Sequence, residues 1–590
     1  MTLDLFLRKR TGFAILASAA LALAACGGQS QQTSSATDAS TEKTVESGGA
    51  SAAETDRSVA AVAMPDIHSA RAARAVLEEG GNAVDAAVAA TFVLTVTLPE
   101  AGNIGGGGFM TLFFEGDTNF LDYRETAPSA ASRDMYLDDA GEFVRRRSQV
   151  GPLAAGVPGA VRGMQIAHDR YGSLPWARLV EPAIALARDG FEIPPKLARS
   201  IERKSGFFGE EVNFSTYYSG AEGELFVQPD LAETLTRIAE QGPDEFYTGK
   251  TAELTVEYMK KVGGLITLDD LDAYKAVWRD PIKFEWGGKT IVSSPPPSSG
   301  GIALAQLLLM KEELSDAFDG VEHNSSKYIH LVAEIEKRVF ADRAEYLGDP
   351  DYYNVPTDTL ISSEYIAKRA AEVNVDAISE TDGVKPGLDE SFQTTHFSIF
   401  DGDGNAVAVT TTLNASFGSG MVVEGAGYLL NNEMDDFSAK PGTPNLYGVV
   451  GAEANSIAPG KRMLSSMTPT LVLDEDKVAM VVGTPGGPTI FTSVFQAVAN
   501  RFDYGLSVSD AVGSGRFHHQ LLPKDSLFFE NRINNNDETA AALEAMGYTL
   551  RRISNYGDVH AITIEDGTVE AAHDPRNRGA SFVFDVDAAE

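Results

Sequence analysis

Gln393-Thr-Thr-His-Phe-Ser-Ile-Phe-Asp-Gly-Asp-Gly-Asn-Ala-Val-Ala-Val-Thr-Thr-Thr-Leu-Asn414 contains two β-prone runs, Thr395–Phe400 and Ala406–Leu413, on either side of Asp401-Gly-Asp-Gly-Asn405. β-Branched and aromatic residues suit a pleated surface, and a cluster of Asp, Gly and Asn suits the turn between two strands. The stretch predicts a β-hairpin with a five-residue turn. With the hairpin symmetric about Asp403, Thr394 stands opposite Thr412 on one sheet face, close enough for the side chains to interact. A bulge would shift this pairing by one position. Asp401-x-Asp403-Gly404 also resembles part of a calcium loop, but no glutamate follows at the EF-hand spacing, so the turn reading prevails.

Outward from the hairpin, helix and strand signals alternate. Residues 67–78 carry a helical pattern closed by Gly80-Gly81. Asn82, with Asp85 three residues on, predicts an N-cap before an Ala-rich helix from Ala83 to about Val96, and Thr267-Leu-Asp-Asp270 marks another helix start. Met110–Phe114, Thr290–Ser293 and Val478–Val482 read as short strands, and strand signals are densest in the C-terminal third. A layered α+β fold is expected. The four glycines Gly105–Gly108 lack a following Gly-Lys-Ser/Thr and any G-x-G-x-x-G, so they mark tight backbone packing rather than a phosphate loop. No Gly-x-Ser-x-Gly elbow is present. His518-His519, adjacent in a β-prone run, point to opposite faces and make a poor metal pair.

Composition excludes several classes. The 590 residues carry 48 Lys+Arg against 84 Asp+Glu, a formal charge of −36. Such an acidic chain does not suit nucleic acid or a basic contact with anionic lipid. The one cysteine rules out an intrachain disulfide and a Cys-rich zinc site.

That cysteine sits at the end of an export signal. Arg8, Lys9 and Arg10 precede an apolar run, Phe13 to Ala25, too short to span a bilayer but suited to a secretory segment. Leu23-Ala24-Ala25-Cys26 resembles the lipobox of bacterial lipoproteins, which implies that residues 1–25 are removed and Cys26 is acylated. Residues 27–57 are poor in apolar side chains and read as a tether. The expected product is held to a membrane by lipid, with its folded part, from residue 58, outside the cytoplasm.

Further strings give the hairpin its context: Leu121-Asp-Tyr-Arg124-Glu-Thr-Ala-Pro128, Leu430-Asn-Asn-Glu433-Met-Asp-Asp436-Phe-Ser438, Leu464-Ser465-Ser466-Met-Thr-Pro469 and Gly483-Thr-Pro-Gly486-Gly487. Pro295-Pro-Pro-Ser-Ser-Gly-Gly301, Ala341-Asp-Arg-Ala-Glu-Tyr-Leu-Gly-Asp-Pro350 and Gly81-Asn-Ala-Val-Asp-Ala-Ala-Val88 join them. Together, in this order from about residue 60 to the end, they resemble the γ-glutamyltransferase (glutathione hydrolase) family.

The resemblance implies an N-terminal-nucleophile hydrolase with a four-layer αββα sandwich. Its precursor cuts itself at Gln393–Thr394 into a large subunit, 58–393, and a small catalytic subunit, 394–590, which stay together as a heterodimer. Thr394 becomes the nucleophile and its freed α-amine the base, since a threonine hydroxyl attacks poorly unless a base takes its proton. An α-amine titrates near 7.7–8.0, so it can act at neutral pH. Thr412 orients Thr394, while Gly486 and Gly487 aim N–H groups at the oxyanion. Arg124, with Ser465 and Ser466, takes the substrate α-carboxylate; Asn414, Glu433 and Asp436 take its α-ammonium. Tyr447, in Lys440-Pro-Gly-Thr-Pro-Asn-Leu-Tyr447-Gly, is the expected lid residue. No cofactor or metal is implied, and the partners are small γ-glutamyl compounds with amino-acid or dipeptide acceptors. Glu433 stands where some bacterial members have Gln, Thr484 replaces a common serine, and Pro488 stands where a small polar residue is expected. A glutaryl-type acylase, a poly-γ-glutamate depolymerase and a non-enzymatic surface lipoprotein are the rival readings. The zwitterion-reading set of Arg124, Glu433 and Asp436 disfavours glutaryl, and the intact Gln393-Thr394 junction disfavours a pure binder.

Overall fold

The computed structural model describes residues 58–379, 394–440, 451–533, 535–553 and 556–586. Cys26, Gln393 and Tyr447 lie outside these residues.

Two antiparallel sheets lie face to face. The first has seven strands in the spatial order Ala580–Val586, Ser58–Met64, Thr395–Phe400, Ala406–Thr412, Gly107–Phe114, Asp117–Tyr123 and Val277–Arg279. The second has six: Thr568–His573, His560–Glu565, Lys477–Gly483, Thr470–Asp474, Lys289–Ser293 and Ile282–Trp286. The period-2 geometry of strands sorts their side chains into separate layers. Ala61, Ala63, Ala406, Ala408, Leu471, Val481 and Ile562 pack between the sheets. Their neighbours Ala60, Val62, Met64, Val407 and Val409 face helices on the outer side of the first sheet. Val472, Met480 and Val482 do the same on the second. The first outer helical layer includes Ile67–Glu78, Ala83–Thr97, Trp176–Asp189 and Pro229–Gln241; the second includes Gly300–Glu313, Ser326–Tyr346 and Thr489–Phe502. The result is the expected αββα sandwich.

The hairpin forms in the expected register. Ala406 pairs with Phe400 and the ladder runs on to Thr411 with Thr395, so partners are equidistant from Asp403. Asp401 closes the turn: its Oδ1 accepts from the N–H groups of Asp403 and Asn405 at 3.0 and 2.9 Å. The Ala83–Thr97 helix begins with the expected capping box, Asn82 Oδ1 accepting from Asp85 N at 3.0 Å and Asp85 Oδ2 from Asn82 N at 3.1 Å. Such a cap contributes about 1 kcal/mol. Every residue of this helix is buried, which explains why it is apolar on all sides.

Strand Gly107–Phe114 starts three residues before the expected Met110. Glycines hide the strand in a propensity reading, yet the packing demands them. A Cβ on Gly106 would lie 2.0 Å from the Thr412 carbonyl oxygen, and one on Gly108 would lie 2.4 Å from that of Thr410. The glycine run lets this segment press against the strand that ends at Thr412.

Candidate active site

Thr394 stands at the head of the Thr395–Phe400 strand. Alternation gives Thr394, His396 and Ser398 one face, that of the second sheet: Ser398 Oγ donates to the His560 carbonyl at 3.1 Å, and His396 lies against Gly483. Across the ladder His396 Nδ1 meets Thr410 Oγ1 at 2.9 Å, so the next pair outward on this face is Thr394 with Thr412. Thr412 Oγ1 accepts from the Asn414 N–H at 2.7 Å. Asn414 has φ of +71°, a left-handed conformation that Asn tolerates better than most residues.

A cleft of about 30 Å³ is lined by Thr394, Thr412, Asn414, Glu433, Asp436, Arg124, Ser465, Ser466 and Gly487. Gly486 lines a second cavity, of about 630 Å³, that also reaches Thr394. Every candidate residue within the described segments therefore borders one of the two spaces that meet at Thr394.

Arg124 follows directly on the Asp117–Tyr123 strand and is almost completely buried. Its Nη1 pairs with Glu433 Oε2 at 2.6 Å and its Nη2 with Asp436 Oδ2 at 2.5 Å. Glu125 lies 3.8 Å from the same guanidinium. Burial alone would lower the Arg124 pKa, but Glu433, Asp436 and Glu125 reverse this and hold it charged. Burial raises the pKa of Glu433 and Asp436; Arg124 opposes the rise in both. Arg124, Glu433 and Asp436, expected to bind the two ends of a zwitterion, thus pair with one another. A zwitterion can enter by exchange, its carboxylate replacing theirs on Arg124 and its ammonium taking the carboxylates released.

The serine pair is fixed by two other motifs. Ser465 N donates to the Pro297 carbonyl at 2.9 Å, and Ser299 N donates to the Ser465 carbonyl at 2.8 Å, so Pro295–Gly301 and Leu464–Pro469 lie side by side. Arg343, whose role the sequence reading did not assign, comes from the Ser326–Tyr346 helix. It donates from Nε to Ser299 Oγ and from Nη2 to Ser466 Oγ, both at 3.0 Å, and lines the small cleft. Burial lowers its pKa to about 10, against the pull of Asp436. The signal available was Arg343 itself, an arginine inside a quoted motif, but its partner Ser466 lies 123 residues away.

Gly486 and Gly487 immediately precede the Thr489–Phe502 helix. Among the described residues neither amide donates to another protein group, and a helix N-terminus favours negative charge. Pro488, with φ of −64°, occupies the helix N-cap, where a fixed φ and a missing N–H cost little. Thr484 Oγ1 accepts from the Asp558 N–H at 2.9 Å, tying this loop to the segment before His560. His518 and His519 are buried away from this centre; His518 Nδ1 meets Thr492 Oγ1 at 3.0 Å and the His519 N–H donates to Glu336 at 2.7 Å.

A sandwich whose inner strand begins with a threonine facing the opposite sheet defines the N-terminal-nucleophile hydrolase fold. In fold alone, the chain is similar to the cephalosporin acylase from Bacillus halodurans, with a TM-score of 0.77 at 24% identity over 92% of this chain and 99% of that one. It is 53% identical to the gamma-glutamyltranspeptidase from Pseudomonas nitroreducens solved with L-DON, with a TM-score of 0.54 over 58% of this chain and 98% of that one. It is 56% identical over 525 residues to the glutathione hydrolase proenzyme of Pseudomonas aeruginosa, spanning 89% of this chain and 94% of the relative. The gamma-glutamyltranspeptidase family model matches residues 69–584. The chain belongs to the gamma-glutamyltranspeptidase family.

Proposed function

We propose that Thr394, freed by self-cleavage of the Gln393–Thr394 bond, is the residue with which this γ-glutamyltransferase cleaves glutathione and related γ-glutamyl compounds. Its α-amine takes the proton from its own hydroxyl, and Oγ1 attacks the γ-carbonyl carbon. The amides of Gly486 and Gly487 hold the developing oxyanion, a term that costs about 3–4 kcal/mol per donor when removed from comparable sites. The leaving amine takes the proton and departs, and water or an amino acid resolves the ester. Thr412 orients Thr394. Arg124, Ser465 and Ser466 take the α-carboxylate of the glutamyl group; Asn414, Glu433 and Asp436 take its ammonium.

The convergence of these residues on Thr394, from segments as distant as Arg124 and Gly487, carries the reading. The acidic residues around Arg124 favour a substrate with an ammonium over a glutaryl group. We further propose that residues 1–25 direct export and that Cys26 is acylated; no described helix is long and apolar enough to cross a membrane. Turnover of γ-glutamyl-p-nitroanilide, with and without glycylglycine, tests the activity. Release of p-nitroaniline that glycylglycine accelerates is expected; no release by the processed enzyme would overturn the assignment.

A further inference from the structure

The Arg124 guanidinium faces the cleft, but its main chain is held from behind by a carboxylate the mechanism does not use. Asp122, two residues earlier in the Asp117–Tyr123 strand, is completely buried. Its Oδ1 accepts from the Arg124 N–H at 3.0 Å and lies 3.4 Å from Arg462 Nε, while its Oδ2 accepts from Arg279 Nε at 2.7 Å. The Arg124 carbonyl accepts from the Tyr274 hydroxyl at 2.8 Å, so both main-chain groups of this residue end on side chains. Arg462, three residues before Ser465, is fixed as well: its N–H donates to the buried Asp349 at 2.7 Å and its Nη2 to the Lys275 carbonyl at 2.6 Å. Burial alone would lower the Arg462 pKa, but Asp122, with Tyr274 and Asp349, outweighs it and raises the value. The two stretches run side by side here. Ala127 N donates to the Lys461 carbonyl and Gly460 N to the Ala127 carbonyl, both at 2.9 Å. Removing one partner of a buried ion pair strands the other charge, so a carboxylate shared in this way is a fixed point in the structure.

We propose that Asp122 is a positioning residue for substrate recognition: by gripping the Arg124 main chain and the Arg462 side chain with one oxygen, it sets the spacing between the Arg124 guanidinium and the Ser465–Ser466 pair, and so the fit of the substrate α-carboxylate. The inference rests on the reading in which Arg124 and the two serines take that carboxylate. Asp122 is not among the residues that line the cleft, so it acts through Arg124 and Arg462. Its two oxygens divide the work. Oδ1 joins the two sides of the carboxylate pocket, which come from opposite sides of residue 393 and have no covalent tie once that bond is cut. Oδ2 meets Arg279, whose Nη2 reaches the half-exposed Asp351 at 2.7 Å. Arg279 balances the charge of Asp122 and has no part in the spacing.

The test compares γ-glutamyl-p-nitroanilide with 4-aminobutyryl-p-nitroanilide, which keeps the amine and the scissile amide and lacks the α-carboxylate. Wild type should favour the γ-glutamyl compound in kcat/KM by at least about tenfold, the worth of a charge-assisted hydrogen bond. Asp122→Asn keeps an acceptor for the Arg124 N–H but gives up the charge that holds Arg462. It should raise KM for γ-glutamyl-p-nitroanilide about tenfold, with kcat changed less than about twofold, and leave 4-aminobutyryl turnover nearly as it was. Arg462→Gln, which leaves the Asp122–Arg279 pair in place, should do the same, and it decides the matter if Asp122→Asn does not fold. Arg279→Gln should lower Tm and keep the wild-type KM. Equal losses on both anilides, or an unchanged KM in Asp122→Asn and Arg462→Gln, would overturn the proposal, as would a KM rise in Arg279→Gln as large as theirs. Failure of the underlying reading looks different: wild type itself would turn over the two anilides equally well.

Discussion

Arg343 donates from Nη2 to Ser466 Oγ at 3.0 Å, joining the longest helix of the second outer layer to the serine pair beside Thr394. The same guanidinium holds Ser299, so it locks two loops against one another. In the proposed mechanism its role is to position, and the serines are the groups that meet substrate. Arg343→Met should therefore raise KM for γ-glutamyl-p-nitroanilide about tenfold, the worth of a charge-assisted hydrogen bond, while lowering kcat less. Arg343→Lys should recover part of the loss. Equal falls in kcat with unchanged KM would point away from the serine pair.

Processing tests the nucleophile. Thr394→Ala should leave the precursor whole and inactive, whereas Thr395→Ala should still be cut. N-terminal sequencing of the smaller wild-type piece should begin at Thr394; a start anywhere else would move the nucleophile.

Substrate charge tests the Arg124 cleft. Asp436→Ala should reduce kcat/KM for a γ-glutamyl anilide about ten- to a hundredfold, while turnover of the glutaryl anilide, which lacks an ammonium, changes little. Arg124→Ala should also harm γ-glutamyl turnover, and self-cleavage should persist in both. A γ-glutamyl to glutaryl ratio that does not fall in Asp436→Ala would refute the ammonium assignment.

Glu433 makes stability depend on pH. Burial beside Glu125 and Asp436 raises its pKa in the folded protein above the ordinary value of about 4.3. The folded state then binds its proton more tightly than the unfolded state does. The associated stability is full below the unfolded value and is lost as pH rises through the folded one. Glu433→Gln has no such proton to lose. The Tm of the variant relative to wild type should increase from about pH 5 to about pH 9, and a constant or shrinking difference would contradict this account.

Cys26→Ser should move the protein from the membrane fraction to the soluble exported fraction, with specific activity retained. A variant that stayed membrane-bound would remove the lipid anchor from the account.

Much of this was legible in the chain because its determinants are local. Asp401–Asn405 specifies a turn by its own residues, and the turn sets the register that places Thr394 by Thr412. Asn82 and Asp85 cap a helix through atoms three residues apart. Arg343 was less legible, because its function depends on a serine in another layer. The larger cavity beside Thr394 was invisible, because its lining is drawn from segments as far apart as Glu100 and Asn577. Gly107–Gly108 shows the converse, since low strand propensity concealed strand residues whose lack of a side chain is what the neighbouring carbonyls require.

Ser58–Met64 lies between Ala580–Val586 and Thr395–Phe400 in the first sheet, and Lys289–Ser293 borders Thr470–Asp474 in the second. Both sheets are therefore woven from segments on either side of residue 393. The uncut precursor can find this arrangement as a single molecule, with every strand tethered to its neighbours. Once the bond is cut, melting would set two fragments loose, and recovery would depend on their concentration and on each avoiding aggregation while its sheet edges stand open. The active form thus carries a structure it inherits from its parent chain and is poorly equipped to rebuild. Its working life is set by how slowly it unfolds, rather than by how readily it would fold again.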